Sequence, residues 1–279
     1  MSYKTVLVHV DQSQQCETRV TLAAQIAKSQ QAHLVGVAMT GISRYVFDHG
    51  AFNPKDPVFA HHVDHLHQHA RASLSAFDRT AASVGVDSVE ARLVDDEAAG
   101  GVALHARYAD LAVIGQFDPA AAVPGVMSNF PETVVLNSGR PVLVVPYAGK
   151  ADGEVKRALV AWDGGLAASR AIAGALPLLA QAASTDVLVF DNGDQKDAHG
   201  EQPGADLALY LARHGVKANV IERRISGDTG EALLSAAADL GSDLIVMGAY
   251  GHTRFREVVL GGVTRTVLES MTVPVLMAH

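Results

Sequence analysis

Three apolar runs occur twice in this chain, in the same order. The first reads Thr5-Val6-Leu7-Val8-His9-Val10-Asp11 and returns as Arg157-Ala158-Leu159-Val160-Ala161-Trp162-Asp163, each copy ending in aspartate. Another reads Asp110-Leu111-Ala112-Val113-Ile114-Gly115 and returns as Asp243-Leu244-Ile245-Val246-Met247-Gly248. The last spans 140–145 and returns at 273–278. Ordered self-similarity of this kind marks a duplicated unit. Between the runs, apolar residues recur at helical spacing over 18–29 and 167–181, then 58–84 and 204–214, then 97–108 and 229–240. Further strand-like segments lie at 32–38 and 185–191, and at 88–94 and 217–224. Gly227-Asp228-Thr229 ahead of Glu231 is a helix-start signal. Short strands alternating with amphipathic helices define βαβ units and a parallel sheet covered on both faces, with right-handed crossovers. The sequence therefore predicts an α/β chain of two tandem five-stranded parallel-sheet domains, doubly wound in strand order 3-2-1-4-5. Their expected limits are 1–148 and 155–279, joined by a linker over 146–155.

In such sheets the ligand crevice lies at the carboxyl ends of the strands, where the strand order reverses. That rule brings together Asp163, ending the first strand of the second half, and Gly248, ending its fourth. After Gly248 come Ala249-Tyr250-Gly251, and nine residues beyond Gly251 a Gly261-Gly262 pair opens a segment with helical spacing through Val263 and Thr264. A strand feeding a glycine loop and then a helix N-terminus suits a phosphate, because backbone N–H groups approach the anion closely and those of the first helical turn lack partners.

Composition narrows the class. Hydrophobic residues make up 48% of the 279 and charged residues 19%, so each half can build a core. The net charge of −8 divides as 11 basic and 14 acidic residues over 1–150, and 11 and 16 over the rest. Neither half offers a basic face for nucleic acid. Cys16 is the only cysteine, which excludes an intramolecular disulfide and suits a reducing cytosol. Asp11 ends the first apolar run too early for a signal peptide, and no run approaches the roughly 20 residues of a membrane helix. A cytoplasmic protein without membrane insertion is expected.

These residues resemble the universal stress proteins in their tandem two-domain form, over nearly the whole chain. Gly248, Gly251 and Gly261 match the family's Gly-x2-Gly-x9-Gly-Ser/Thr nucleotide loop. Gly262 stands where the pattern has a hydroxyl, and Thr264 matches a second hydroxyl position. Asp163-Gly164-Gly165 resembles the family's Asp-Gly-Ser, and Thr272-Val273-Pro274-Val275-Leu276 its usual ending. The resemblance implies a flavodoxin-like nucleotide-binding sandwich and, in many members, bound ATP. The first half departs from the pattern. Gly115 is followed by Gln116-Phe117-Asp118, and Pro119 and Pro124 interrupt the loop. A carboxylate in a phosphate site repels its ligand, so the adenine nucleotide is expected in the second half alone: ATP, with or without Mg2+.

Each residue of that site also has a plainer reading. Gly248, Gly251, Gly261, Gly262, Val263 and Thr264 form either a phosphate cradle or a tight connection whose glycines serve only the turn. Arg254, with His252 beside it, either neutralises phosphate or belongs to a solvated loop. Asp163 either accepts from a ribose hydroxyl or adenine-side donor, or caps the following helix. Met247 and the 190–191 strand end either wall an adenine slot or pack in the core. His61, His65 and His69 share one helical face at i, i+4, i+8, with His62 and His67 near them. Such pairs can chelate a metal or titrate near neutrality, but no carboxylate or cysteine completes a zinc pattern, and a polar helix face without metal is expected. No catalytic triad, Walker lysine or paired carboxylate is legible, so ATP hydrolysis is slow at most. The readings that follow are a nucleotide-binding regulatory protein, a nucleotide-independent interaction scaffold, or a weak ATPase. The implied partners are an adenine nucleotide, an unidentified protein, and a second copy or the chain's own other half, meeting through the apolar fifth strands.

Overall fold

The computed structural model describes residues 2–43, 57–121, 123, 125–149, 151, 153–191, 204–224, 227–251 and 262–279. They form two compact units, Tyr3–Gly139 and, with Ser2, Arg140–His279. The first unit runs β1 (Thr5–His9), α1 (Cys16–Gln30), β2 (His33–Met39), α2 (Pro57–Val84), β3 (Val89–Val94), α3 (Ala98–Ala106), β4 (Leu111–Gly115) and α4 (Phe130–Ser138). Its strands lie in order β3-β2-β1-β4, all parallel. The second runs β5 (Val142–Val145), β6 (Arg157–Trp162), α5 (Leu166–Leu179), β7 (Ser184–Asp191), α6 (Ala205–Arg213), β8 (Ala218–Arg224), α7 (Thr229–Leu240), β9 (Leu244–Gly248), α8 (Gly262–Ser270) and β10 (Val275–Ala278).

The α/β architecture and the 3-2-1-4-5 order expected from the repeat are those of the chain, seen in the second half as β8-β7-β6-β9-β10. One neighbouring pair, that of the two fifth strands, is antiparallel. The fifth strand of the first half, β5, lies in the second unit and pairs antiparallel with β10, Val144 opposite Val275 and Val142 opposite Met277. Both strands are wholly buried four-residue apolar runs. An apolar edge exposed to water invites a partner strand, and an antiparallel ladder satisfies it.

Burial follows the strand order. Val6, Val8, Leu111, Val113, Val160 and Val246 are completely buried, as central strands covered on both faces require. The outer strands β3 and β8 carry Glu90, Arg92, Glu222 and Arg223 and alternate in exposure, which protects the free edges. Gly36 in β2 leaves space for the ring of Phe77 from α2, whose carbons lie 2.7 Å from where a Cβ on Gly36 would stand. Asp228 caps α7 by accepting the Glu231 N–H at 2.9 Å, as the helix-start signal predicts. The spacing had not singled out α4, which has Pro131 in its first turn and a left-handed Gly139 at its end.

The duplication extends to one hydrogen-bond device. Asp110, just before β4, accepts the backbone N–H groups of Lys4 and Thr5 at 2.7 and 2.9 Å. Asp243, just before β9, accepts those of Lys156 and Arg157 at 2.9 and 3.0 Å. Each carboxylate ties the start of a first strand to the start of a fourth, and so sets the register of the pair whose far ends form the crevice. Asp110→Ala or Asp243→Ala should lower the unfolding free energy by about 1–2 kcal/mol each by urea denaturation, with the Asn variants milder because one carbonyl acceptor remains.

Candidate functional site

The crevice of the second half lies at the carboxyl ends of β6 and β9, which pair in register from Ala158 and Leu244. Asp163, exposed just past β6, accepts the Gly165 N–H at 2.8 Å. The N-cap of α5 is Gly165, with no side-chain cap, so Asp163 closes a local turn ahead of the helix. Its other oxygen, Oδ2, lies 3.5 Å from where a Cβ on Gly251 would stand. The fold thus unites the strand-end aspartate with the second loop glycine, 88 positions apart in sequence.

The glycines differ in what they require. At Gly248 a Cβ would stand 2.5 Å from the Ala168 nitrogen and 2.8 Å from the Ala167 carbonyl carbon, so the first turn of α5 packs directly on this backbone. At Gly251 the nearest described atoms lie at ordinary contact distance, and at Gly262, which heads α8, no described atom lies within 4 Å. Thr264 is 3% exposed, and its Oγ1 accepts the Tyr250 N–H at 3.3 Å. Val263 is half-buried, and Met247, 4% exposed, packs in register beside Met277. His252, Arg254 and Gly261 lie outside the described residues.

Sequence reasoning missed the frame around this loop. Tyr250 has φ of 58°, a left-handed conformation uncommon outside glycine, and it stands between the two loop glycines. Its ring meets that of His279 edge-on, centroids 6.3 Å apart, and His279 Nδ1 is bonded to the Ala249 carbonyl at 3.0 Å. Arg170 of α5 donates to the His279 carbonyl at 2.9 Å. No residue spacing announces these contacts, because all of them close through the last residue of the chain.

The matching crevice of the first half is built differently. Asp11 Oδ1 lies 2.8 Å from Arg19 Nη2, and Arg19 Nε donates to the His9 carbonyl at 2.8 Å. Ser13 donates to the same carboxyl through its N–H at 3.0 Å and its hydroxyl at 2.6 Å. The guanidinium, 2% exposed, occupies the space that a side chain on Gly115 would need. Eight residues past Asp163, the position matching Arg19 holds the fully buried Ala171. Asp118 accepts the Ala120 N–H at 2.9 Å and so serves its own turn.

Burial pushes the Asp11 carboxyl up, but Arg19, His9 and the Ser13 hydrogen bonds outweigh it and hold it well below its ordinary value. Burial drives His9 from 6.5 down to about 4, with Arg19 adding to the fall and Asp11 opposing it. Nδ1 of His9 lies 3.6 Å from Asp11 Oδ2. On α2 the histidines divide. His67 bonds Asp95 at 2.7 Å, whereas His62, His65 and His69 line a cavity that His61 does not reach. No group of three or more His, Cys, Asp or Glu among the described residues could hold a metal. No described helix is long and apolar enough to cross a membrane.

A twice-repeated doubly wound α/β unit, with an arginine buried at the strand ends of the first half and an alanine at the matching place in the second, defines a tandem α/β sandwich. The sequence profile of the universal stress protein family matches residues 2–146 and 154–279, and the chain belongs to that family. A universal stress protein of Synechocystis is 27% identical over 221 residues, 75% of this chain and 72% of that protein. Among solved structures, a universal stress protein from Archaeoglobus fulgidus covers 98% of this chain and 95% of its own, with TM-score 0.72 at 16% identity. A Pseudomonas aeruginosa protein of unknown function covers 98% of this chain and 92% of its own, with TM-score 0.61 at 16% identity. These two likenesses establish the shared fold.

Two outcomes follow. Gly248→Ala should lower the unfolding free energy by about 1–3 kcal/mol, since the methyl meets backbone that cannot swing away; unchanged thermal stability would show that α5 does not bear on β9. Acid should weaken the first unit. The unfolded state takes a proton on His9 below 6.5 that the folded state refuses until about 4, so the stability contributed by neutral His9 is present above 6.5 and lost as pH falls towards 4. Asp11 acts in the same direction at lower pH, because its folded carboxyl titrates below its unfolded one. Hydrogen exchange in β1 should therefore accelerate between these limits, and His9→Gln should flatten that dependence.

Proposed function

We propose that the chain is a cytoplasmic stress-response regulator that binds an adenine nucleotide, ATP by preference, in its second half. The observation that carries this reading is the convergence of Asp163 with Gly251 at the carboxyl edge, beside a glycine-headed α8 whose Thr264 accepts the Tyr250 N–H. Phosphates would lie along Gly248, Gly251, Gly261 and Gly262, where backbone N–H groups and the helix dipole favour an anion. Asp163 would accept from a ribose hydroxyl or an adenine-side donor, and Thr264, its Oγ1 held by Tyr250, would turn its hydroxyl proton to the ligand. His252 and Arg254 would add donors from the loop, with Mg2+ as the counter-ion that phosphates ordinarily bring. Nucleotide occupancy would then bias the surface offered to a protein partner or to a second copy.

A nucleotide-independent scaffold is the second reading, and Gly248 is the observation that favours it. The packing of α5 alone accounts for glycine there, without any ligand.

Gly251 separates the two. Its φ lies outside the left-handed region and its described neighbours stand at ordinary contact distance from a methyl, so Gly251→Ala should fold and keep ATP affinity within about threefold by calorimetry, under 1 kcal/mol. Gly251→Asp places a second carboxylate beside Asp163 in the phosphate path and should weaken ATP by more than about tenfold. Equal affinity in both folded variants would remove the loop from the site, and no ATP binding by the parent chain would leave the scaffold.

A further inference from the structure

The first unit has a cavity of about 320 Å3 that the nucleotide reading does not use. It lies at the carboxyl ends of β1 and β2, the place where open α/β sheets receive ligands. Val10, Ala38, Leu66 and Val123 give it an apolar lining, and His62, His65 and His69 of α2 form one wall. The rings of His65 and His69 meet edge-on with centroids 4.2 Å apart. His9 also lines the cavity. It is 2% exposed, and its Nδ1 has no hydrogen-bond partner among the described residues. Asp11 Oδ2, at 3.6 Å, lies beyond hydrogen-bond distance, so the nitrogen keeps its bonding capacity beside the cavity that His9 and Asp11 both line.

We infer that the first half carries its own small-molecule site, this histidine-walled cavity, suited to a single-ring planar organic acid that bears a carboxylate and no phosphate. Size sets the first limit, since the volume is at the lower end of the range for ligand pockets and holds one ring with a short substituent. Phosphate is excluded from the neighbouring space. Arg19 fills the room beside Gly115, and Asp118 stands where the second half has Gly251. Charge sets the sign. Asp11 is the one carboxylate among the lining residues, and Arg19 compensates it at 2.8 Å. The remaining polar lining is rich in imidazole N–H donors, with Thr40 beside them, so a carboxylate meets donors and no unpaired negative charge. The ring would lie on the aliphatic lining against the His65 and His69 pair. A groove of about 630 Å3 between α1 and α2 shares Asp11, His69 and Ser73 with the cavity and offers an entry from solvent. This site is independent of the nucleotide reading and stands or falls apart from it.

The test uses the full chain and three ring probes of one shape: benzoate, uncharged benzamide and cationic benzylamine, read by ligand-detected saturation-transfer NMR. Benzoate should bind best and benzylamine not at all. Ser73→Phe, which fills the cavity from α2, should abolish the benzoate signal. The exposed-side change His65→Gln should weaken benzoate at least about threefold and benzamide less. Added ATP should leave the benzoate signal in place, which separates this site from the loop of the second half. Equal binding of all three probes would overturn the acid, and benzoate binding unchanged in Ser73→Phe would overturn the cavity. If Ser73→Phe does not fold, equal benzoate affinity in His65→Gln and the parent chain would overturn the imidazole wall. No binding of any probe at millimolar concentration would overturn the site.

Discussion

A carboxylate buried at the carboxyl end of a parallel strand must find donors or a counter-charge, whereas an exposed one keeps its water. Each half ends its first strand in aspartate, but Asp11 is largely buried and Asp163 is exposed. Asp11 is compensated within the fold by Arg19, which itself needs an anion because a guanidinium stays charged when buried. Asp163 accepts the Gly165 N–H on Oδ1 and faces Gly251 with Oδ2. The first arrangement is an ion pair internal to the fold. The second leaves its carboxylate open to solvent.

That contrast governs the glycines as well. In the first half the guanidinium stands against the Cβ direction of Gly115, so the glycine is needed to admit an internal cation. In the second half Gly248 is needed because the α5 backbone comes close, made possible by Ala167, Ala168 and Ala171, which are all buried. A glycine that ends the fourth strand therefore recurs in both halves for different packing reasons. Its recurrence alone says little about phosphate. The discriminating position is the second glycine, present as Gly251 and replaced by Asp118, where the described residues of the second half make no packing demand.

Much of the fold was legible in the sequence because the central strands are uniformly apolar and bounded by helical spacing, so type and order follow from period and repetition. The boundaries shifted by one to a few residues, as in α5, where packing and backbone bonds decide the ends. Helix α4 escaped notice because its nine residues make too few turns to show a clear helical period. The pairing of the apolar fifth strands was legible from their composition, but its antiparallel direction was not, since direction at an edge depends on which edge arrives and a local pattern carries no such information. The aspartates before β4 and β9 were visible as repeated letters, but their role in binding the opening N–H groups of the first strands needed coordinates.

The candidate site was legible to the extent that the switch-point rule reaches: Asp163 and the Gly248 to Thr264 stretch belong to strand ends that the topology must bring together. Arg19 was not, because an arginine on an amphipathic helix ordinarily reads as solvent-facing, and only its spacing of eight from a strand-end aspartate hints at a buried pair. The histidines show the same limit more sharply. Spacing by four groups His61 with His65 and His69, whereas the cavity takes His62 in place of His61. Three residues advance a helix by 300° and four by 400°, so i−3 and i−4 neighbours flank the same face, and the curvature of the surface they meet chooses between them. A sequence can thus state that a helix has an imidazole face, but which imidazoles share a cavity is set by the strand ends beneath it, here His9 to Asp11 and Ala38 to Gly41.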